Sequence, residues 1–289
     1  MVVSSPDWMH GLIDDAAIFP PGNVPLERAV AEHREHRASE YADLVGGFVV
    51  SDLKVADLID VLDDADHDEP LPVNLVVTGG AGAIEPAVRW LNRAPTSRLR
   101  AVEFALRDEE DLAHNAQRAI TAWDLLEDEN PDAEVYIELP PLNGAPTHGW
   151  LAAMDEIAAR GLRVKFRTGG VEQHAFPTCG ELGDAISAAL DRELEFKCTA
   201  GLHHAVRHHD PDTDLTHHGF LNVLRATRAA LDGEDPSEVL AEESAAVLLE
   251  DFDADEALRT RRWFTGFGSC SVLEPHDDLV ELGLLGAGS

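Results

Sequence analysis

Two lysines are the residues of this chain best suited to chemistry. Of 289 residues only three are lysine, and two of these, Lys165 and Lys197, lie inside short apolar runs, Val164-Lys165-Phe166 and Phe196-Lys197-Cys198. Lysine is normally among the commonest residues, so these positions stand out. A buried ammonium group is costly and its pKa is easily lowered. A lysine beside a second cation in a dry pocket can be a neutral nucleophile near pH 7, which attacks a carbonyl and forms a Schiff base.

Three carboxylates are predicted to face the same interior as the lysines. Side chains alternate along a strand, so a charged residue points away from the side of its apolar neighbours. On this pattern Asp14, Glu103 and Glu138 share an inward face with the lysines. A carboxylate in that position could relay protons during carbonyl chemistry. The alternative is a structural ion-pair network, such as Glu138 with Lys165, that fills the interior.

Eight strand-like segments alternate with amphipathic helices and would position these groups. The predicted strands are residues 12–18, 45–51, 72–78, 99–106, 134–139, 162–167, 194–199 and 263–267, and the predicted helices between them include 26–36, 55–62, 85–91, 110–126, 150–160 and 182–190. Such alternation indicates an α/β fold with a parallel sheet. Eight units favour a closed (β/α)8 TIM-type barrel over an open doubly wound sheet, and barrel active sites lie at the carboxyl ends of the strands.

We expect one domain, residues 1–289, with a helical insertion before the last strand. The segment 201–260 separates the seventh and eighth predicted strands and contains two helical stretches, 221–231 and 236–249. Long insertions in barrels usually lie on the loops and often cover the active site. We therefore predict that this segment is a lid.

The charge balance excludes several classes of partner. The chain has 55 acidic residues against 22 lysines and arginines, a net charge of −33. Such a surface repels nucleic acid and anionic membranes. Because the acids are spread along a chain so poor in lysine, the composition favours a high-salt cytoplasm, where self-repulsion is screened; an ordinary acidic protein is the alternative. The sequence shows no signal-peptide pattern, no membrane-spanning apolar run and no disulfide framework, which predicts a soluble cytoplasmic protein.

Several short motifs, in order along most of the chain, resemble those of the deoxyribose-phosphate aldolase family of class I aldolase barrels. They are Leu12-Ile13-Asp14-Asp15, Val102-Glu103-Phe104, Val135-Tyr136-Ile137-Glu138, Lys165-x-x-Thr168-Gly169, Lys197-Cys198-Thr199-Ala200-Gly201 and Phe267-Gly268-Ser269-Cys270-Ser271. The resemblance implies a Schiff base on Lys165, with no cofactor. It also implies that the last motif is a turn that holds phosphate.

The chain departs from that family pattern at three places. Glu103 replaces an aspartate, Leu202 stands where the family has a second glycine, and the insertion after the seventh strand is foreign to the family. Arg167, Arg207 and the turns after the strands could bind a carboxylate or phosphate of a small-molecule substrate, and an ion pair is the alternative for Arg167. The predicted substrate-binding residues are Arg167, Thr168, Gly169, Gly170, Thr199, Gly201, His203, His204, Arg207, Gly268, Ser269 and Ser271.

A histidine cluster follows the second lysine motif. Its members are His203, His204, His208, His209, His217 and His218. His203, His204 and His208 could ligate zinc or another divalent metal, although the spacing matches no specific metal motif. Acid–base or substrate-binding roles and polar filling of a loop are the alternatives. Cys270 lies in a turn that faces the site, but no base is evident beside it in the sequence. We therefore expect it to be a small, neutral residue that lines the site.

The leading hypothesis is a carbon–carbon lyase that acts on a small carbonyl or sugar-derived compound. Lys165 would be the nucleophile, Lys197 would lower its pKa, and Glu103, Glu138 or Asp14 would move protons. Two alternatives stay open: a metal-dependent hydrolase, lyase or isomerase, and a barrel without catalysis. The last would show both lysines paired to carboxylates with no cavity above them. The sequence leaves open the substrate and whether the chain forms a homo-oligomer.

Overall fold

The computed structural model describes residues 5–63, 69–107, 110–170 and 172–286, so the ends of the predicted domain, 1–4 and 287–289, lie outside the described residues. Its ten strands are β1 (Ile13–Asp15), β2 (Val45–Ser51), β3 (Leu71–Val77), β4 (Ser97–Ala105), β5 (Glu134–Glu138), β6 (Arg163–Arg167), β7 (Phe196–Thr199), β8 (His208–Asp210), β9 (Leu215–His217) and β10 (Phe264–Ser269). Eight of them form a closed parallel barrel in the order β1-β10-β7-β6-β5-β4-β3-β2. Strands β8 and β9 form a separate antiparallel hairpin.

Helices connect the barrel strands. Those in the described residues are α1 (Leu26–Arg37), α2 (Val55–Asp63), α3 (Ile84–Arg93), α4 (Leu112–Asp124), α5 (His148–Ala159), α6 (Cys179–Leu190), α7 (Phe220–Leu231), α8 (Pro236–Leu240), α9 (Ala245–Leu248), α10 (Ala254–Thr260) and α11 (Leu273–Glu281). Polar caps define several of their starts. Thr178 and Glu181 form a reciprocal capping box at α6, and Asp111 caps α4. None of these helices is both long enough and apolar enough to cross a membrane.

The predicted (β/α)8 barrel is confirmed, and the open-sheet alternative is wrong. Most element ends differ from the prediction by only a few residues, and two differences have a clear physical cause. The first strand ends at Asp15, because its carboxylate accepts the Ala17 N–H at 3.1 Å and turns the chain. The predicted helix 236–249 is divided into α8 and α9, because the side-chain amide of Asn222 donates to the carbonyls of Val239 and Glu242 at 2.9 and 2.7 Å.

The apolar core lies between the barrel and its helices. Outward-facing strand residues such as Val164, Phe166 and Phe267 are at most 5% exposed. The ring of Phe267 stacks on Phe220 of α7 at a centroid distance of 5.1 Å, and Phe166 stacks on Trp150 of α5. Each such buried side chain contributes about 1.5–3 kcal/mol of hydrophobic stabilisation. The inner face of the strands is thereby left for polar groups.

The segment between β7 and β10 contains the β8–β9 hairpin and helices α7 to α10. Helix α7 begins against the loop after β7, where the Phe220 N–H donates to the carbonyl of His204 at 3.1 Å. The helix then packs on the barrel through Phe220. That residues 201–260 act as a lid over a bound substrate stays a prediction.

Glycines in β2 make room for the polar interior. An added Cβ at Gly46 would lie 2.2 Å from Asp14 Oδ1 and 3.2 Å from the carbonyl oxygen of Ile13. Asp14 cannot easily withdraw, since it is 4% exposed and paired with Lys197.

We expect Gly46→Ala to lower the free energy of unfolding by about 1–3 kcal/mol, as overpacking does. The matched control is Gly149→Ala on α5, where an added Cβ meets no atom within 4 Å; it should be neutral or slightly stabilising. Urea unfolding of both variants provides the measurement. Equal stabilities would show that Asp14 is not held in place.

Candidate active site

The two lysines share one carboxylate inside the barrel. Lys165 on β6 and Lys197 on β7 are aligned by the strand register. Lys165 Nζ lies 2.8 Å from Glu103 Oε2, and Lys197 Nζ lies 2.6 Å from Glu103 Oε1. All three residues are 2% exposed. Both amines thus meet beside one acid in the buried interior, as expected, but the space around them is occupied by ion pairs.

The other two predicted carboxylates extend this bridge in both directions. Lys165 Nζ lies 2.7 Å from Glu138 Oε2, and Lys197 Nζ lies 2.5 Å from Asp14 Oδ2. The remaining oxygens of these acids meet arginines, with Arg167 Nε 3.0 Å from Glu138 and Arg100 Nη1 3.1 Å from Asp14. The result is an alternating row of charges, Arg167–Glu138–Lys165–Glu103–Lys197–Asp14–Arg100.

Arg100 and Asn74 belong to this network but were not predicted from the sequence. The register of β4 against β3 shifts so that Val73 pairs with Leu99 and Asn74 with Ala101. The extra residue, Arg100, turns inward at this bulge and contacts Asn74 Oδ1 at 3.2 Å. The alternation rule assigns Arg100 to the opposite face, and no local pattern marks the bulge.

The electrostatics of the lysines contradict the predicted low pKa. Burial lowers the pKa of Lys165, but Glu103 and Glu138 outweigh it and raise that pKa above its ordinary value. Lys197 behaves alike, because Asp14 and Glu103 raise its pKa more than burial lowers it. Conversely, burial raises the pKa of Glu103, but the two lysines bring it down to about 2. Since each amine has two carboxylates within 2.8 Å, both lysines are charged in this structure.

The turns after β6 and β7 contact each other directly. Thr168 is fully buried and its hydroxyl donates to the carbonyls of Thr199 and Ala200, so its side chain stabilises the turn and is not placed to contact a substrate. An added Cβ on Gly169 would lie 2.9 Å from the Gly201 Cα, so the two backbones touch. The glycines predicted as binding residues therefore allow this close approach.

A cavity of about 930 Å³ opens at the carboxyl end of the barrel. Its wall combines the loops after β1, β6, β7 and β10 with the β8–β9 hairpin. The predicted site residues in this wall are Gly170, Gly201, His203, His204 and Ser271. Lys197 is not in the wall; it precedes Ala200, a wall residue, by three positions, which is about 10 Å of strand. The lysine network therefore lies deeper in the barrel than the cavity, which is at the carboxyl ends of the strands.

The remaining predicted binding residues lie outside this wall. Arg207 is 20% exposed and faces Glu243 at 3.9 Å. Ser269 is buried, and its hydroxyl accepts the Ser271 N–H at 3.3 Å. Gly268 packs near the hydroxyl of Thr199. Arg167 forms an ion pair with Glu138, the alternative to substrate binding at this position, and its side chain is still 38% exposed.

His203 and Cys270 form a contact in the cavity wall. Sγ of Cys270 lies 3.7 Å from Nε2 of His203, whose Nδ1 lies 2.8 Å from Glu274 Oε2. Burial lowers the pKa of His203, but the contacts with Cys270 and Glu274 raise it to about 9. The expectation that Cys270 has no base beside it is therefore wrong. The two residues are 67 positions apart, so only the fold brings them together.

Most of the other histidines of the cluster contact one another or carboxylates, whereas His218 Nε2 lies 2.8 Å from the carbonyl oxygen of Pro177. His204 Nδ1 lies 3.2 Å from Asp278, and its ring meets the edge of His208 at 4.6 Å. His208 stacks on His217 at 5.2 Å. Across the described ranges, no group of three or more histidine, cysteine or acidic side chains is arranged to hold a metal ion. The metal-centre alternative with His203, His204 and His208 gains no support from this geometry.

Comparison with known proteins identifies the fold. The chain is similar to the solved structure of deoxyribose phosphate aldolase from Aeropyrum pernix, which is described as a unique tetramer, with a TM-score of 0.54, 12% identity and coverage of 96% of this chain and 93% of that chain. The sequence matches no family model and no curated protein. The chain thus has a distant aldolase-like TIM barrel, as the sequence motifs predicted.

We expect Glu103→Gln to lower the free energy of unfolding at pH 7 by about 3–5 kcal/mol, because it leaves two buried ammonium groups short of a shared partner. The low pKa of Glu103, about 2, stabilises the folded state above the ordinary carboxyl pKa of 4.5. That contribution, about 3 kcal/mol, is lost as the pH falls from 4.5 through 2.

Acid unfolding measured by circular dichroism between pH 7 and 2 tests this expectation. Glu103→Gln should lose less stability than the native chain over that interval, since one acid-sensitive group is gone. The exposed Glu234→Gln is the control and should follow the native curve. An unchanged stability of Glu103→Gln at pH 7 would contradict a structural bridge at this position.

Proposed function

We propose that this chain is a carbon–carbon lyase of the class I aldolase type, acting on a small carbonyl or sugar-derived compound. The observation that carries the proposal is the pair of lysines on neighbouring strands, joined by Glu103 in the buried interior of the barrel. The aldolase-like barrel and the cavity at the carboxyl end of its strands also support it. Lys165 is the proposed Schiff-base residue.

The charges around Lys165 would stabilise the product of its attack on a carbonyl, a protonated Schiff base. A protonated Schiff base carries one positive charge at the position where the ammonium of Lys165 carries one. Glu103 and Glu138, both within 2.8 Å of that nitrogen, would therefore stabilise the iminium as they stabilise the ammonium. The cost lies in the attack itself, because the ammonium must first give up a proton.

Glu138 is the proposed proton acceptor for that step. It contacts both Lys165 and Arg167, and its side chain is 9% exposed against 2% for Glu103. Of the two acids beside Lys165, it is therefore the one with more access to solvent. Arg167, partly exposed at the outer end of the network, is suited to bind a carboxylate or phosphate of the substrate.

Borohydride trapping with glycolaldehyde tests the Schiff base. We expect substrate-dependent reduced mass at Lys165, found by peptide mapping. Because the pKa of Lys165 is raised, the neutral fraction of the amine, and with it the trapping rate, should increase about tenfold per pH unit between pH 7 and 10. Lys165→Met should abolish this label.

The exposed Lys54 provides the matched control, since Lys54→Met should leave the label at Lys165 unchanged. Label confined to Lys54 or to the amino terminus would overturn the lyase proposal. Unfolding curves of both variants would separate loss of chemistry from loss of the fold.

A barrel that binds a small molecule without catalysis is the second candidate. It is favoured by one observation, the pairing of both lysines to carboxylates in the resting structure. The cavity of about 930 Å³ would then hold the ligand above an inert network. Reversible glycolaldehyde binding with no label at Lys165 would favour this candidate over the lyase.

We also propose that the protein works in a high-salt cytoplasm. The net charge of −33 and the single lysine outside the barrel interior, Lys54, support this. Raising KCl from 0.1 to 2 M should increase Tm by at least about 5 °C, because screening reduces self-repulsion. Sucrose of matched osmolality is the control for exclusion effects. An unchanged or lower Tm in KCl would contradict the proposal.

A further inference from the structure

Cys270, His203 and Glu274 form a connected group in the wall of the cavity. His203 follows β7, Cys270 follows β10, and Glu274 lies in the first turn of α11. We propose that Cys270 is a second nucleophile that binds small aldehydes covalently and reversibly in this cavity. His203 activates the thiol, and Glu274 orients the ring of His203.

The hydrogen bonds define a role for each member of the group. Glu274 Oε2 lies 2.8 Å from Nδ1 of His203, so it accepts the proton on that nitrogen and orients the ring. Nε2 is then the nitrogen left for the thiol. Sγ of Cys270 lies 3.7 Å from Nε2 and 3.9 Å from Nδ1, so it lies beside the ring at nearly equal distance from the two nitrogens. A weak nucleophile is commonly activated by a base that is itself oriented by a carboxylate, and these three residues have that order in space. Such contacts are often long when no substrate is bound.

Two features place positive charge beside Cys270. His203, with a pKa raised to about 9 by its contacts with Cys270 and Glu274, is a cation at neutral pH. The amino terminus of α11 lies close along the chain, where the Glu274 N–H donates to the Ser271 hydroxyl at 3.2 Å. Positive charge at these positions would stabilise the negative charge that develops on the sulfur during attack.

Other titratable groups also face this pair. His204 is adjacent to His203 in the chain and contacts Asp278 of α11, which raises the pKa of His204. His217 on β9 has a pKa lowered by burial and is neutral at pH 7. Within this group, the contacts of Cys270 are with both ring nitrogens of His203, and Glu274 contacts Nδ1 of the same ring.

The other two cysteines provide internal comparisons. Cys179, at the start of α6, is partly buried, and burial raises the pKa of its thiol. Cys198 is fully buried on the outward face of β7, and burial raises its pKa as well. Cys270 is the cysteine whose thiol both lines the cavity and contacts an imidazole.

The proposed step is an addition that needs no further reactant. A bond forms between Sγ and the carbonyl carbon, the carbon–oxygen π bond breaks, and the thiol proton passes through His203 to the carbonyl oxygen. The product is a hemithioacetal, and its collapse releases the aldehyde unchanged. The reactivity of the thiol is independent of the lyase function, whereas the choice of an aldehyde as ligand rests on that proposed function.

Iodoacetamide alkylation of the full-length chain in 2 M KCl at pH 6.5, followed by peptide mapping, tests the thiol. We expect Cys270 to react at least tenfold faster than Cys179. His203→Asn and Glu274→Gln should each slow Cys270 about tenfold at pH 6.5 but not at pH 10, where hydroxide deprotonates the thiol without help. A purely structural role for His203 would slow or speed the reaction equally at both pH values.

The control is His174→Ala, which removes an exposed histidine paired with Glu172 at 3.2 Å and should leave the Cys270 rate unchanged. Melting curves would confirm that the His203→Asn chain is folded, with Glu274→Gln as the second, milder variant. If Cys270 reacts no faster than Cys179, or if neither variant slows it at pH 6.5, the proposal is overturned.

Glycolaldehyde protection tests the aldehyde. We expect millimolar glycolaldehyde to slow alkylation of Cys270 at least threefold, with full recovery after dialysis and the same protection in Lys165→Met. A reactive Cys270 without protection overturns the aldehyde assignment. Borohydride fixes an imine at Lys165 but leaves no stable mass on a hemithioacetal, so failure of the lyase proposal and failure of this one give different results.

Discussion

The desolvation of two ammonium groups is the constraint on which the rest of the barrel depends. Inside a closed sheet no bulk water remains to solvate Lys165 and Lys197, so carboxylates must lie within hydrogen-bond distance of both. Glu103, at 2.8 and 2.6 Å from the two nitrogens, meets that need for both at once. Glu138 provides the second carboxylate for Lys165, and Asp14 provides it for Lys197. Both acids also form ion pairs with arginines.

The need to pair buried charges makes the electrostatic environment of the barrel interior different from that of the cavity wall. Carboxylates that stabilise a buried cation also hold its proton, so Lys165 and Lys197 are charged at rest and would become nucleophiles only after proton transfer. At the cavity wall the arrangement differs, because Sγ of Cys270 lies 3.7 Å from Nε2 of His203, whose pKa is raised to about 9. The barrel thus holds two charged amines in its interior and a thiol beside an imidazole in the cavity wall.

Much of the fold could be predicted because its signals are local. Strand and helix periodicity located all eight barrel strands, and alternation correctly assigned Asp14, Glu103 and Glu138 to the interior with the lysines. Arg100 was missed because a bulge in β4 breaks alternation without a sequence signature. The lysine pKa was predicted with the wrong sign, since the number of acids within reach of each nitrogen depends on side-chain reach across the barrel.

The sequence by itself determined the barrel, the inward face of its strands and the short list of charged residues on that face. Those properties follow from periodicity and from the cost of burying charge, which act along a few residues at a time. Only the tertiary structure decided which charges pair, whether the amines are protonated, and that Cys270 has His203 as its partner. Pairing depends on ångström distances between segments far apart in the chain, and electrostatic energies change steeply over those distances.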